Sequence, residues 1–300
     1  MYRTLVILRH TFRDAIVQPI YSLLLGLAAA ILVIFSLLPF FTLGEDTRMF
    51  KSVGLDVILL FVLLATLFAT SKSVYEEIED RTMLTLMSKP VKKWEVLLGK
   101  YLGIVAAALL GVIALGTILV VGTWLRVPTD YQLSMYQIDD RIIKQVTDLR
   151  KMHVAGLLPS LVLVWMQISV LAAIGVALSV RFSLVVNLPT VILLYIAGNL
   201  TRFLFPLEAG HAIKNFLAQV AATVLPYLQT FDLRQVALFR EISLPGTEFA
   251  DVNKYPTAVS LGTLWGYIGV AALYGLGYAT FALGSGLLLF QTRELGGAEG

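Results

Sequence analysis

The sequence predicts an all-α integral membrane protein: six transmembrane helices, an N-terminal interfacial amphipathic helix and amphipathic outer-loop helices. Three observations lead there. The 300 residues are 58% hydrophobic and only 14% charged, whereas a soluble domain carries about 25% charged residues. The mean hydropathy of +0.81 leaves more apolar surface than one water-soluble core can hide. Charge is also absent from six long runs: Ala15–Gly44, Val57–Ser71, Tyr101–Leu125, Val154–Val180, Phe182–Thr201 and Tyr255–Thr292. Five of them have the length that a helix needs to cross a bilayer, about 20 residues; the second is shorter and reaches it only by including Asp56 near its start. None shows the alternation of a β-barrel strand.

The runs place spans at about 20–41, 53–71, 101–124, 157–180, 183–203 and 258–290 in a single transmembrane domain covering 1–300. Residues 1–18 precede the first span as an amphipathic helix with Leu5, Leu8, Phe12 and Ala15 on one face and Arg3, His10 and Asp14 away from it. That pattern suits a helix lying on the membrane surface, with Pro19 turning the chain inward. A cleaved signal sequence would have a shorter apolar run. Lys and Arg divide almost evenly between the two sides. The inner ones crowd against helix ends while the outer ones are spread over two long loops, which places both termini in the cytoplasm and the chain in a cell membrane of the bacterial inner-membrane kind. Residues 72–100 then form the cytoplasmic loop, and 125–156 and 204–257 the extracytoplasmic ones. Both outer loops carry helical stripes: Ile138, Ile142, Val146 and Leu149 in the first, Ile213, Phe216, Leu217, Val220, Ala221, Val224 and Leu225 in the second. Such a stripe shows that one face is buried. A gate and a helix resting on the membrane or its own bundle both satisfy it.

Missing chemistry narrows the function. There is no cysteine, which excludes a disulfide scaffold, thiol catalysis and Cys-ligated metals. The three histidines are scattered, and neither H-E-x-x-H, G-x-S-x-G nor a phosphate-binding P-loop occurs. The net charge of +3 fits lipid headgroups, not nucleic acid. Asp56 is the only acid within a proposed span, one turn from its end, where it reads as an interfacial residue. Without buried acids or bases, coupling to an ion gradient is disfavoured, so energy for any transport must come from a partner. Catalytic residues, bound cofactor and metal ligands are therefore all expected to be absent from this chain.

The densest charge lies between the second and third spans, in Ser71-KSVYEEIEDRTMLTLMSKPVKKWEVLLGKYLG. Glu77 and Arg81 have favourable i,i+4 spacing; Val74 and Ile78 share a face, as do Leu84, Met87 and Val91. Pro90 ends one helix and suits the first turn of the next. Trp94, Lys92, Lys93 and Lys100 read as interface anchors. The pattern describes a charged knob on a stiff base, suited to docking in a groove of another protein; a solvated connector is the alternative. The four acids around Glu77 lack the further oxygen ligands that a hard cation needs.

This stretch resembles the signature of type-2 ABC exporter permeases: an acidic-basic helix running into a Thr, two apolar turns, Ser-x-Pro-Val, and Leu-Gly-Lys leading to the third helix. Arg81 stands before Thr82 where many members have Gly. A second segment, Leu225-PYLQTFDLRQVALF, is similar to one before the last helix in the branch of the copper-processing permease of nitrous oxide reductase maturation. The resemblance implies that Glu77, Arg81, Thr82, Leu84, Leu86, Lys89 and Pro90 form a coupling helix. It would dock on a separate ABC ATP-binding subunit, which alone would hold ATP and Mg. It also implies a pair of permeases, either two copies or a copy and a paralogue. In the last span Gly262 and Gly266 have G-x-x-x-G spacing, which allows close helix contact, either with that second copy or inside one subunit. Gln167, Asn187 and Asn199 would line a path or hydrogen-bond between helices. The competing function is a membrane scaffold that holds a partner without transporting anything; the substrate is not legible.

Overall fold

The computed structural model describes residues 2–38, 46–80, 82–83, 91–130, 140–204, 225–251 and 253–292, with the side chains of 129, 130, 141 and 201–204 excepted. Seven long helices account for most of it. They are α1 (Tyr2–Val17), α2 (Pro19–Leu37), α3 (Asp46–Thr70), α4 (Lys93–Asp130), α5 (Asp140–Ser179), α6 (Leu184–Leu204) and α7 (Leu261–Gln291). Pro19 opens α2, where its missing N–H is one of the groups a helix start leaves unpaired anyway. Ser260 caps α7 by accepting the Thr263 N–H at 3.1 Å. Five described helices are long and apolar enough to cross a membrane: Pro19–Leu37, Asp46–Glu79, Lys93–Pro128, Ile142–Ser179 and Leu261–Gln291. The apolar part of α6, Leu184–Leu200, is shorter. The protein is an all-α membrane protein; among the described residues its strand content is a two-residue parallel ladder, Ile242–Ser243 (β1) against Val259–Ser260 (β2).

Burial sorts the helices. In the most apolar window of α5, 72% of residues are buried, and of α3, 61%, against 17% in α2 and 28% in α7. So α3 and α5 are the centre of the bundle, through Ile58, Val62, Leu67, Leu163, Ile168, Leu171 and Ala172. The outward faces of α2 and α7 suit lipid. On the N-terminal helix the inward residues are Thr11 and Ala15, with Ile7 and Phe12 packed beside them. The face is rotated from the one the apolar pattern picks out, and Leu5 is exposed. The cause is steric. Helix α1 crosses α4 at Gly99 and Gly103, where an added Cβ would lie 2.9 Å from Ile7 Cβ and 2.7 Å from the Leu8 carbonyl oxygen.

Helices α4 and α5, 38 and 40 residues long, reach about 57–60 Å at 1.5 Å per residue, twice the ~30 Å hydrocarbon core. The expected outer-loop stripe Ile138–Leu149, whose Ile138 lies outside the described residues, continues from Ile142 into the fourth span as one helix, with Pro159 accommodated within it. At the end away from the Ser71–Lys100 loop, Arg126 donates to the carbonyls of Phe35 (2.8 Å) and Leu38 (2.7 Å). Arg150 donates to the Trp124 carbonyl at 2.9 Å, and Lys51 meets His153 Nδ1 at 2.9 Å. A second apolar cluster of Val127, Leu149, Met152, Ile242, Phe249 and Leu264 closes this end.

The chain before α7 packs into the bundle. Leu228 is fully buried and Phe231 nearly so. The segment reaches α6 at Gly198, where a Cβ would come 2.5 Å from the Pro226 carbonyl oxygen, and α5 at Gly156, where it would clash with the Ala237 carbonyl. Three hydrogen bonds fix it: Tyr267 OH to Thr230 O (2.9 Å), Tyr227 N–H to Tyr274 OH (2.7 Å) and Gln229 Nε2 to Asn199 O (2.6 Å). The stripe from Ile213 to Val224 lies outside the described residues.

Candidate docking site at the Ser71–Lys100 end of the bundle

Helix α3 does not end at Thr70. It widens into a π-helical stretch, Ser71–Glu76, and closes with Glu77–Glu79. Val74 and Ile78 face inward and are buried, while Lys72, Glu76, Glu79 and Asp80 are exposed. A π-helix shifts backbone carbonyls out of their α-helical register, and a cation uses that opening. Lys100 of α4 is 3% exposed; its ammonium bonds the Ser73 carbonyl, the Ser73 hydroxyl at 3.2 Å and Glu77 Oε1 at 2.7 Å. Thr82 Oγ1 donates to the Glu77 carbonyl at 3.1 Å, tying the start of the loop to the end of the helix.

The same end is cross-braced. Glu95 accepts the Lys92 N–H at 3.0 Å, the reach-back half of a capping box at the start of α4. Lys93 donates to the Phe290 carbonyl at 2.9 Å and stands over the Phe290 ring at 5.0 Å, joining α4 to the C-terminus of α7, where a cation is favourable. Arg181 donates to Thr292 Oγ1 at 2.9 Å. Asn187 of α6 is fully buried and donates to Ser179 Oγ at 2.7 Å and the Gly175 carbonyl at 3.2 Å. A cleft of about 550 Å³ opens between α1 and the end of α3. Its rim carries Asp14, Glu76, Glu77 and Asp80 against Lys72.

Of the residues expected to dock a partner, Glu77 and Thr82 are placed together here; Arg81, Leu84, Leu86, Lys89 and Pro90 lie outside the described residues. Lys100 is buried, not an interface anchor, and sequence reasoning missed its role as the clamp on α3. The available signal was an isolated cation at the start of a charge-free run, with an acid-rich helix end just before it in the chain. Gly262 and Gly266 are exposed; a Cβ on Gly266 would meet nothing within 4 Å, and one on Gly262 only Ser260 Oγ at 3.9 Å. Close packing inside the subunit falls on the other G-x-x-x-G pair, Gly99 and Gly103. Among the described residues no group of three His, Asp or Glu side chains converges as a metal site would require. The arrangement is a charged, braced end that ties the base of the loop to α3, α4 and α7.

Residues 16–295 match the sequence profile of the ABC-2 family transporter proteins. The chain belongs to that family. No curated protein matches it significantly. As an ABC-2 permease it is a multi-pass transmembrane component of an ABC transporter, and the match covers both the Ser71–Gly103 loop and the segment before α7.

Proposed function

We propose that this ABC-2 permease couples ATP hydrolysis on a separate ABC ATP-binding subunit to export or membrane translocation of a substrate. In this reading it carries no catalytic residues and binds neither ATP nor Mg itself. The observation that carries the proposal is the Glu77–Lys100–Ser73 clamp. It joins the base of the charged loop to α3 and α4, so a push on the loop would move the centre of the bundle. Residues Glu77 to Pro90 act as the coupling helix. Six helices, α2 to α7, span a bacterial inner membrane with both termini cytoplasmic. For α6 the support is its packing: Val191 is buried and Asn187 holds its start level with the end of α5. The open glycines Gly262 and Gly266 offer a surface to a second copy or a paralogue. The segment Leu225–Phe239 carries the similarity to the copper-processing permease of nitrous oxide reductase maturation, and we place the chain near that branch.

Co-expression with a candidate ABC ATP-binding subunit tests the reading. The permease should co-purify with the ATPase and raise its ATP turnover in nanodiscs. Co-purification without any change in turnover would instead support the scaffold.

A further inference from the structure

We infer that an apolar groove between α4, α5 and α7 binds one acyl chain of an anionic bilayer phospholipid, with Arg150 and Lys151 holding the phosphate. The groove measures about 420 Å³ and is bordered by Leu109, Ile113, Gly116, Leu158, Trp165 and Trp265. Ile113, Leu158 and Trp265 stand exposed along its rim. Gly116 lets α4 and α5 close its floor, since a Cβ there would lie 3.0 Å from Leu161 Cδ1. Polar groups in the wall are few. The Thr117 hydroxyl donates to the Ile113 carbonyl at 2.7 Å and Trp165 Nε1 to the Val105 carbonyl at 3.2 Å. The third, the Trp265 indole N–H, belongs to an exposed ring near the start of α7. An apolar cavity of this kind does not hold water, so its occupant is hydrocarbon.

Its dimensions select the kind of hydrocarbon. On α4 the groove runs from Leu109 to Val120, roughly 16 Å by helical rise. That is about half the ~30 Å hydrocarbon core, the depth of one leaflet. Volume over length gives a cross-section of roughly 25 Å². An alkyl chain, whose carbons pack about 4 Å from their neighbours, fits that width; a helix about 10–12 Å across does not. The mouth sets the direction of the chain. Helical spacing carries the groove face of α4 from Val120 on to Trp124, and that of α5 from Leu158 back to Lys151. There Arg150 Nε donates to the Trp124 carbonyl at 2.9 Å, with the guanidinium 5.1 Å from the Trp124 ring. Its two Nη groups and the exposed Lys151 ammonium have no partner among the described residues. Residues 140–151 carry Arg141, Lys144, Arg150 and Lys151 against Asp140 and Asp148, so positive charge is in excess. Trp124 and Trp265 are the residue type that marks headgroup depth. A phosphate therefore meets Arg150 and Lys151 at that depth, and a choline headgroup, which brings a cation of its own, is disfavoured.

The test uses the purified full-length protein in phosphatidylcholine nanodiscs that hold a minor share of phosphatidylglycerol with a diazirine midway along one acyl chain. The matching diazirine phosphatidylcholine is the comparison. After illumination, lipid adducts are mapped by mass spectrometry. The expected result is severalfold more adducts on residues 109–120 and 158–165 than on the exposed apolar face of α2 at Leu23, Leu27 and Val33, and more with the glycerol headgroup than with choline. Thr117→Phe fills the groove from its open side and should remove most of those adducts. Lys151→Glu should abolish the preference between headgroups. Both residues are exposed, so unfolding midpoints should stay at the wild-type value. Three results would each overturn the site. Adducts spread evenly over α2 and the groove, or equal labelling by the two lipids, would mean bulk lipid only. A groove without adducts beside a labelled α2 would mean that a protein surface covers it, such as a second copy. Labelling unchanged in both variants would detach the lipid from these residues.

Discussion

The ammonium of Lys100 on α4 lies 2.7 Å from the carboxylate of Glu77 at the end of α3, and its other donors go to the carbonyl and hydroxyl of Ser73. One cation thus satisfies a helix irregularity, a backbone carbonyl and an acid at once. The two partners are not equally exposed: the Lys100 side chain is 4% exposed and that of Glu77 33%. Water can therefore compensate the acid for a lost partner better than it can the amine.

The asymmetry predicts a ranking. Glu77→Met removes both the charge and the acceptor and leaves the buried amine with only Ser73, and breaking a buried pair in that way costs about 3–5 kcal/mol. Lys100→Met leaves a partly hydrated carboxylate and a carbonyl short of a donor, for a cost of about 1–3 kcal/mol. The double variant should be less destabilised than the sum of the two singles. Unfolding midpoints of all four proteins in one detergent check this; strict additivity would show that the residues are not coupled.

The two G-x-x-x-G pairs should respond in opposite ways. A Cβ on Gly103 would meet the Leu8 carbonyl oxygen at 2.7 Å, Thr11 Cβ at 2.8 Å and the Phe12 nitrogen at 3.0 Å, most of it backbone that cannot step aside. Gly103→Ala should cost about 1–3 kcal/mol through overpacking and loosen α1, read as faster proteolysis within residues 2–17. Gly266→Ala meets open space, and alanine favours helix by up to about 1 kcal/mol, so the fold should hold or gain. If Gly262 and Gly266 meet a second permease, Gly266→Leu should lower the dimer fraction in cross-linking while leaving the monomer's unfolding midpoint in place.

The glycine pairs also show what the sequence could and could not convey. Spacing alone made Gly262 and Gly266 a contact candidate, yet the intrasubunit contact lies at Gly99 and Gly103, because spacing does not say which neighbour arrives. The all-α membrane class was legible, since hydrocarbon imposes length and charge exclusion on each helix by itself. The inward turn of Val74 and Ile78 was legible for a similar reason, being a local period. The Lys100 clamp, the Asp56–Arg234 ion pair at 2.6 Å and the burial of Phe231 were not. Each joins residues separated by tens of positions, and Asp56 carries no local mark of an arginine that lies some 180 residues later in the chain.

Topology gives a clean measurement because the chain has no cysteine. The crowding of basic residues at the ends near the Ser71–Lys100 loop predicts that residues 126–156 face outward. A single cysteine at Ser134 should be labelled by an impermeant maleimide added to intact spheroplasts, and one at Lys72, an exposed residue beside the cleft, only after the membrane is opened. The reverse pattern would invert the orientation and remove the loop from reach of any cytoplasmic ATPase.

Coupling itself is tested at Arg81 and Pro90. The anchor of their loop is fixed: Thr82 bonds the Glu77 carbonyl, and Glu95 closes the first turn of α4. Arg81→Glu sets a like charge four residues from Glu77. Within the helix that costs only about 0.2–0.5 kcal/mol, so membrane level should be unchanged. Across a docking surface, like charges cost several kcal/mol, so partner capture and partner-dependent ATP turnover should both fall, by tenfold or more in low salt and less in high salt, where screening weakens the repulsion. Pro90→Ala acts by another route. It restores an N–H and removes a ring that disfavours helix, so it should let helix continue across this position and re-aim the loop without changing its charge. Capture should then survive while ATP stimulation drops, and salt should not modify the loss. Wild-type stimulation in both variants, at wild-type membrane level, would reduce Glu77 to Pro90 to a solvated connector. The clamp at Lys100 would then brace the bundle and transmit nothing.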